Sequence, residues 1–394
     1  MNETERQSRR NFLLGSSGAS GVMILKPETV FGSQANSAVE IGIIGCGGRG
    51  IYIGDFFIEH TGARVVALAD PLPDRIAELK KSLRLGEALT YTDLNGYRDL
   101  VSSRLDAVVV ESPPYFHPQH VAAAVAAGKH VFLAKPVAVD VPGCNSIAES
   151  GKKAEGKLSF VVDFQTRARP AFREAAARLH RGEIGTPILG HVYYHSGPHL
   201  PQKVAGDSAL QHRLRNWNLS KVLSGDIINE QNIHCIDVAV WYLQSHPAEA
   251  FGTCSRIAEP HEGDMQDSFL VNYTFPNGAK VDFSGARFIK GYFDQCIRIY
   301  GTKGTLDSHY RGVIQITGDN PWKGAEADAT REGAITNVKN FVESIRTGKD
   351  LNYAAEAVRT NRRCILGRTA GYENRIVTWD EMLKRGEKLE AGSL

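Results

Sequence analysis

A glycine-rich loop near residue 45 follows a short apolar run and precedes a helix-like segment. In the pattern G-x-G-x-x-G, the first glycine permits a tight turn, the second lets the backbone approach a pyrophosphate, and the third lets helix pack on strand. Backbone N–H groups at the start of the helix then face the phosphate charge. The pattern therefore predicts a dinucleotide site. Its residues are Gly45, Cys46, Gly47, Gly48, Arg49 and Gly50.

Asp70 ends the next apolar run, 20 residues beyond Gly50. That is the spacing expected of an acidic residue that hydrogen-bonds the ribose of the dinucleotide. A carboxylate there accepts hydrogen bonds from both ribose hydroxyls and repels a 2′-phosphate. The sequence therefore favours NAD as cofactor, and Arg75, close by in sequence, keeps NADP as the alternative.

Short apolar runs alternate with helix-like stretches in the first half of the chain. Continuous apolar strands that alternate with helices indicate a parallel sheet covered on both faces. We therefore predict a doubly wound Rossmann domain over residues 37–162. The runs lie at 39–44, 64–69, 107–110, 130–133 and 158–162, and the helix-like stretches lie near 49–60, 73–83, 118–127 and 143–154.

The pattern changes after residue 163. A hairpin is predicted around Pro276-Asn277-Gly278 and a second one around residues 301–304, because turn residues there separate short strand-like runs. From about residue 335 the chain is predicted to be mostly helical. We therefore predict an α/β protein in which residues 163–394 form an α+β domain with an open, mainly antiparallel sheet, which binds substrate and mediates oligomer contacts.

Charge and cysteine content exclude some classes of protein. The 394-residue chain has a net charge of +2 without a long basic run, so nothing favours nucleic acid as a partner. The cysteines form no Cys-x-x-Cys pair, which argues against a structural zinc site and a disulfide framework. We expect them to be reduced and buried. They are Cys46, Cys144, Cys235, Cys254, Cys296 and Cys364.

The N-terminus has a different character. Arg9 and Arg10 precede Phe12-Leu13 and a weakly apolar stretch rich in Gly and Ser that extends to residue 25. This stretch is shorter than the roughly 20 apolar residues of a membrane-spanning helix, so we expect no stable membrane insertion. Twin arginines before such a region are typical of the bacterial Tat export signal. We predict that residues 1–36 are a signal peptide and linker and that the mature protein is periplasmic.

Three further stretches contain motifs. Residues 112–117 are Ser-Pro-Pro-Tyr-Phe-His, followed by Ala-Ala-Gly-Lys-His-Val at 126–131; residues 134–137 are Ala-Lys-Pro-Val, and residues 230–237 are Glu-Gln-Asn-Ile-His-Cys-Ile-Asp. With the glycine loop and Asp70, they resemble the Gfo/Idh/MocA family of sugar and polyol oxidoreductases over nearly the whole chain after the signal. The stretch at 134–137 is similar to the family's Glu-Lys-Pro signature. The stretch at 230–237 is similar to its Asp-x-x-x-His helix.

The resemblance implies where several side chains lie. Lys135 and His234 are implied to face the substrate at the nicotinamide end, and Ser112, Pro113, His117 and Lys135 to contact the cofactor. Oxidation of a hydroxyl sends hydride to the nicotinamide and the proton to a base. A buried lysine near cations has a lowered pKa, and histidine titrates near neutrality. We predict that Lys135 and His234 share general acid–base catalysis.

Glu230 lies four residues before His234, so the two share one face if they lie on one helix, and we predict that Glu230 assists catalysis. Two positions depart from the family pattern: Ala134 replaces a glutamate, and Glu230 replaces an aspartate. Both changes alter the carboxylates around the lysine. A Glu-x-x-x-His pair can bind metal, but no third ligand is apparent, so we predict no metal site.

Weaker candidates open the second domain. Gln165 and Arg167, with Arg169, are candidates for contacts to substrate hydroxyls or a carboxylate, and structural roles are the alternative. Tyr194 belongs to a polar, aromatic run from His191 to His199 and is a further candidate for substrate binding.

Together these features predict an exported NAD-dependent oxidoreductase that acts on a hydroxyl of a sugar, polyol or sugar derivative. Because the periplasm offers no obvious NAD pool, we expect a tightly bound cofactor that is recycled internally. The first alternative is an NAD-dependent glycoside hydrolase that uses transient oxidation and elimination. The second is a non-catalytic sugar-binding protein. The family resemblance also implies a homo-oligomer.

Overall fold

The computed structural model describes residues 38–258, 262–324 and 329–392, with the backbone alone at 329 and 330. The predicted export signal and linker, residues 1–36, lie outside these residues. Within the described ranges, no helix has both the length and the apolar character needed to cross a membrane.

Six parallel strands form the first sheet of the described chain, in the order β3-β2-β1-β4-β5-β6. This is the strand order of doubly wound dinucleotide-binding domains, in which the direction of winding reverses between β1 and β4. The strands are β1 (Glu40–Ile44), β2 (Arg64–Ala69), β3 (Leu89–Tyr91), β4 (Ala107–Val110), β5 (His130–Leu133) and β6 (Phe160–Val162). The helices between them are α1 (Gly48–Thr61), α2 (Pro73–Ser82), α3 (Gly96–Ser102), α4 (His117–Ala126) and α5 (Val141–Ala154).

The central strands of this sheet are buried on both faces. All four residues of β4 are buried, since helices cover the sheet from both sides, and such strands are continuously apolar. The carboxyl ends of parallel strands lie at one edge of a sheet. The residues that directly follow β1, β2, β4 and β6 therefore meet at this edge, together with Lys135 just beyond β5.

The second sheet contains nine described strands in the order β14-β13-β12-β11-β7-β10-β9-β8-β15. Only the pair β7–β10 in this order is parallel. The strands are β7 (Pro187–His195), β8 (Glu249–Ser255), β9 (Ser268–Thr274), β10 (Lys280–Ala286), β11 (Asp294–Gly301), β12 (Gly304–His309), β13 (Ile314–Gly318), β14 (Trp322–Lys323) and β15 (Val377–Thr378). Both predicted hairpins are present, as β9–β10 and β11–β12.

Helices cover one face of this sheet. α11 packs against β7 and β11, and α13 packs against β8 and β9, so that Val192, Phe283 and Ile297 point into a shared apolar core. The remaining helices are α6 (Gln165–Ala168), α7 (Pro170–His180), α8 (Ala209–Arg215), α9 (Lys221–Ser224), α10 (Ile227–Glu230), α11 (Ile233–Leu243), α12 (Ala329–Thr347), α13 (Ala354–Glu373) and α14 (Trp379–Arg385).

One late helix returns to the first sheet. α12 packs on α1 and α6, and Phe341 lies 6.0 Å from Phe57 and 5.5 Å from Phe132 between ring centroids. Ala334 and Val338 belong to the same core. Residues far along the chain thus complete the apolar core of the dinucleotide-binding fold.

The predicted fold class is confirmed: a Rossmann sheet is followed by a mixed, mainly antiparallel sheet. The short strand β3 and helix α3 were not predicted, because β3 has only three residues and Leu89 is half exposed. All six cysteines lie in the described residues and are free, and all but Cys254 are buried. The proposed division of the chain at residues 162 and 163 stays a prediction.

Candidate active site

A cleft of about 300 Å³ lies at the carboxyl edge of the first sheet. One wall is formed by loops after β1, β2 and β4. The opposite wall belongs to residues 198–218, which we call the strap. Seven of the residues predicted to bind the cofactor line the cleft. They are Gly45, Gly47, Gly48, Arg49, Asp70, Ser112 and Pro113.

The glycine loop has the shape that a pyrophosphate requires. Gly45 has φ +96°, and a Cβ there would lie 2.5 Å from the backbone of Glu111. A Cβ on Gly50 would lie 2.1 Å from the carbonyl oxygen of Gly45, so the third glycine allows α1 to pack closely. Gly47 is the N-cap residue of α1, and within the described chain no N-cap side chain accepts a hydrogen bond from the first N–H groups of this helix. The first N–H groups of α1 can therefore bind an anion.

Asp70 fits the ribose end of a dinucleotide. Its Oδ2 accepts the Cys46 N–H at 2.8 Å, and its Oδ1 accepts the Leu72 N–H at 2.8 Å. Each carboxylate oxygen has a second lone pair, which a ribose hydroxyl can use. Burial raises the pKa of Asp70, and the two backbone hydrogen bonds oppose that shift.

His117 does not line the cleft. Its ring is fully buried, with Nε2 2.7 Å from the carbonyl oxygen of Ser112 and Nδ1 2.8 Å from that of Pro136. The ring thereby joins the loop after β4 to the loop that presents Lys135. The structure supports a positioning role for His117 in place of direct cofactor contact.

A second cavity, also about 300 Å³, adjoins the cleft and shares His199, Trp217 and Asn218 with it. It brings together four side chains that the sequence singled out for catalysis or substrate binding. These are Lys135, Tyr194, Glu230 and His234. The polar cavity lies at the end of the dinucleotide cleft, where a substrate would meet the nicotinamide.

Lys135 is held at the wall of this cavity. Its Nζ donates to the carbonyl oxygen of Glu230 at 2.5 Å and lies 3.6 Å from Glu230 Oε1. That carbonyl is available because Glu230 ends α10, and the last carbonyls of a helix have no partner within it. Burial lowers the pKa of Lys135, although Glu230 opposes the shift. The lowered pKa makes it easier for the ammonium group to release its proton.

His234 is neutral at neutral pH. Burial, with Lys135 and Arg49 nearby, lowers its pKa well below the usual range for histidine. A neutral imidazole can accept a proton from a hydroxyl.

The assumption of one continuous helix through Glu230 and His234 is wrong. α10 ends at Glu230, and α11 begins at Ile233 after a turn at 231–232. Both side chains nevertheless line the cavity. The break has a chemical consequence, because it frees the Glu230 carbonyl for Lys135.

Two predicted substrate contacts lie elsewhere. Arg167 forms two hydrogen bonds of 2.7 Å to Asp237 and one of 3.1 Å to Glu356. Gln165 is buried and donates to Asp163 Oδ2 at 3.2 Å. Neither lines the catalytic cavity, so the geometry favours the structural alternative for both. Arg287 and Gln231 line it instead. Arg287 directly follows β10, a position at a strand end that sequence analysis overlooked.

Glu111 is a further residue that sequence analysis missed. It follows β4 and lines the cleft, and its Oε2 lies 3.8 Å from Arg49 Nε. Both carboxyl oxygens are buried without a hydrogen-bond partner in the described chain. Burial raises the pKa of Glu111 to about 8, with Arg49 opposing the shift. A glutamate directly after an all-apolar strand at the reversal point was the available signal.

This carboxyl group gives a pH-dependent prediction. A group whose pKa is raised on folding stabilises the fold below its unfolded pKa, and that stability is lost as pH rises through the folded pKa. As the pH rises from about 4.5 to 8, the free energy of unfolding of the wild type should therefore fall relative to that of Glu111→Gln. The expected difference is a few kcal/mol, since each unit of pKa shift contributes at most ~1.4 kcal/mol. Urea unfolding at both ends of this range measures it. Glu78→Gln, on the exposed side of α2, is the matched control; parallel pH curves for wild type and Glu111→Gln would contradict the prediction.

The fold and the two adjoining cavities define a class: an oxidoreductase with a dinucleotide cleft and, at its end, a cavity lined by Lys135 and His234. Residues 39–162 match the model of the oxidoreductase family with NAD-binding Rossmann fold, and residues 172–307 match the GFO/IDH/MocA C-terminal domain. The chain belongs to the GFO/IDH/MocA family. It is an NAD-dependent oxidoreductase that acts on CH–OH groups.

Proteins similar to the chain in sequence or in fold include inositol dehydrogenases. The chain is 29% identical to inositol 2-dehydrogenase 3 of Saccharopolyspora erythraea, over 79% of this chain and 86% of the relative. It is 32% identical to inositol 2-dehydrogenase of Pseudomonas syringae pv. syringae, over 66% and 71%. The structure of scyllo-inositol dehydrogenase from Lactobacillus casei, with bound NAD(H) and scyllo-inositol, has a TM-score of 0.68 at 21% identity and covers 87% of this chain and 100% of that one.

Proposed function

We propose that the enzyme oxidises a secondary hydroxyl of a polyol, sugar or sugar derivative and keeps NAD bound through the whole cycle. The observation on which the first part rests is the polar cavity at the end of the dinucleotide cleft, with Lys135, Glu230 and His234 in its wall. The family relatives that act on inositols support the polyol class.

Lys135 and His234 accept the proton of the reacting hydroxyl and return it in the reverse direction. Burial lowers the pKa of Lys135, so its neutral amine can take up the proton released as the carbonyl forms. Burial also lowers the pKa of His234 well below its usual range, so the neutral imidazole accepts the hydrogen bond of the hydroxyl and passes the proton on. NAD⁺ bound in the cleft would supply the hydride acceptor for the same carbon. Glu230 positions Lys135 through its backbone carbonyl and stabilises the protonated form through its carboxylate 3.6 Å away.

Other groups in the cavity suit a polyhydroxylated substrate. Asn218, Gln231 and Arg287 bring amide and guanidinium groups into its wall beside Tyr194. Buried polar groups that must be hydrogen-bonded discriminate strongly for substrates that supply hydroxyls. We propose that these four side chains bind the hydroxyls that do not react.

The strap supports retention of the cofactor. Arg215 in the strap is almost fully buried and binds Asp74 of α2 at 2.8 Å and Asp207 at 2.8 Å. Arg75 Nη2 also donates to the carbonyl oxygen of Arg215 at 3.3 Å. The strap is thereby fastened to the far side of the cleft, and a dinucleotide in the cleft would leave only after these contacts open.

Retention agrees with export through the Tat pathway, which we propose from the twin arginines at 9 and 10. Tat transports folded proteins, so a cofactor inserted in the cytoplasm can leave with the chain. The reduced cofactor would then be reoxidised by a second, carbonyl-bearing substrate.

The test is to purify the protein, denature it and identify any released nucleotide by mass and absorbance. Roughly stoichiometric NAD supports retention. A protein that purifies without NAD and binds it weakly overturns retention, while inositol-dependent reduction of added NAD would still support the oxidoreductase assignment. Fractionation of cells that produce the full-length chain tests export separately, since arginine-to-lysine changes at 9 and 10 should keep the protein in the cytoplasm.

A retained cofactor equally serves transient oxidation followed by elimination of a glycoside. The same purified protein should therefore be assayed with aryl glycosides. Release of free sugar without net change in cofactor redox state would favour the glycoside hydrolase. Reduction of bound NAD by a free polyol without bond cleavage favours the dehydrogenase.

A further inference from the structure

A compact group of metal-binding side chains lies outside the catalytic cavity, on neighbouring strands of the second sheet. Cys296 of β11 is directly opposite His309 of β12, and Asp307 is two residues before His309 on the same strand. Ile297 and Ile299 of β11 point into the core beneath α11. Because side chains alternate along a strand, these three lie on the opposite face of the sheet. We call Cys296, Asp307 and His309 the sheet-face cluster.

The donor atoms of the cluster are spaced for one metal ion. A thiol sulfur, a carboxylate oxygen and an imidazole nitrogen lie within 4.8 Å of one another. Cys296 Sγ is 3.6 Å from Asp307 Oδ1, and His309 Nε2 is 3.4 Å from the same oxygen. In a tetrahedral zinc site with ligand bonds of about 2.0–2.3 Å, neighbouring ligand atoms are roughly 3.3–3.8 Å apart. The two separations from Asp307 match this range, and the sulfur and the imidazole nitrogen lie within 4.8 Å of each other.

The imidazole is already oriented for a metal. His309 Nδ1 lies 3.0 Å from Asp294 Oδ2 and 3.1 Å from Asp294 Oδ1. A proton on Nδ1 is thereby favoured, and the lone pair of Nε2 is directed toward Asp307. Histidine ligands of metals commonly donate their other N–H to a carboxylate in this way. Tyr193 fixes that carboxylate in turn, donating to Asp294 Oδ2 at 3.0 Å.

The charges also balance. A divalent ion bound by a thiolate, a carboxylate and a neutral imidazole forms a neutral site, and the thiol proton passes to solvent. Arg298 Nε donates to Asp307 Oδ1 at 2.9 Å. This is also the oxygen nearest the thiol and the imidazole, so on metal binding the carboxylate must turn until Arg298 is held by one oxygen and the ion by the other.

We propose that Cys296, Asp307 and His309 bind one divalent ion of borderline softness, of the Zn²⁺ and Co²⁺ class, with water as fourth ligand. Mixed sulfur, nitrogen and oxygen ligands select such ions over Mg²⁺ or Ca²⁺. Prediction from sequence excluded zinc because the cysteines lack the Cys-x-x-Cys spacing. The cluster is formed across two strands, so its spacing follows sheet register.

Cobalt binding tests the proposal. The purified full-length chain is reduced, treated with chelator, dialysed and titrated with Co²⁺ while visible absorption is recorded. We expect about one equivalent to bind with a thiolate-to-cobalt charge-transfer band, which Zn²⁺ then displaces. Cys296→Ser should abolish the band, and Asp294→Asn should weaken binding by about 10- to 100-fold because the imidazole loses its orienting partner.

His191→Gln is the matched control. His191 lies on the same face of the sheet and contacts Asp282 at 2.9 Å, but it does not belong to the cluster. Its substitution should leave the band unchanged. Circular dichroism and bound NAD content confirm that each variant is folded. Absence of a stoichiometric band in the wild-type chain, or an unchanged band in folded Cys296→Ser, overturns the proposal.

Discussion

Lys135→Met is expected to lower the rate at which a polyol reduces bound NAD by about 10²–10⁴-fold, the range for loss of a general acid–base group. Methionine keeps much of the length of the lysine side chain but cannot accept or donate the proton. Single-turnover reduction of the bound cofactor, followed by absorbance, measures the hydride step directly. Because Lys135 donates to a backbone carbonyl of α10, bound NAD and thermal stability must be measured beside it.

Lys152→Met is the control, since Lys152 is exposed on α5 and lines neither of the two cavities. It should reduce NAD at the wild-type rate. If Lys135→Met retains NAD, remains folded and reduces it at the wild-type rate, Lys135 is not the proton carrier. His234→Asn then tells whether the imidazole acts alone.

Arg215→Gln is expected to speed dissociation of NAD by about tenfold to a hundredfold. The guanidinium is 5% exposed, whereas Asp74 is 57% exposed, so the loss falls between that of a surface pair and a buried one, about 1–3 kcal/mol. Glutamine keeps polarity but cannot pair with both carboxylates. The release rate is measured by mixing the holoenzyme with excess labelled NAD and following exchange.

Arg181→Gln removes an exposed ion pair with Glu183 and serves as the control, for which exchange should not change. Hydrogen bonds from Arg215 hold the pKa of Asp74 and of Asp207 below the usual range. A depressed carboxyl pKa contributes stability above the unfolded pKa and loses it as pH falls. Release of NAD should therefore quicken in acid for the wild type, and far less for Arg215→Gln. Equal release rates for wild type and variant at neutral pH would show that the strap does not retain the cofactor.

The first sheet and its glycine loop were predictable because local rules determine them. β4 is apolar throughout, and β1 and β5 are apolar after their first residues. The glycines stand where backbone geometry forbids a Cβ, as at Gly45 and Gly50. The same holds for the hairpin β9–β10, whose turn residues are contiguous. Lys135 and His234 were found through family motifs, and the structure places them in one cavity.

The remaining features depend on contacts between distant residues. Arg167 carries a charge suited to substrate, but only the fold shows that Asp237 and Glu356 already bind it. Glu111 acquires its raised pKa from burial, for which its position directly after the apolar strand β4 was the available local signal. The break between α10 and α11 was missed because residues 229–232, although polar, contain no glycine or proline to mark the end of a helix. The pairing of Cys296 with His309 follows strand register, which sequence spacing alone does not encode.

The return of α12 to the first sheet determines when the dinucleotide-binding fold can be completed during synthesis. Phe341 packs between Phe57 and Phe132, so about 280 residues separate α1 from the helix that finishes its core. A ribosome must translate past residue 342 before that core closes. The core of the nascent domain therefore closes only when most of the chain has been made, and we expect stable binding of the cofactor to follow that step.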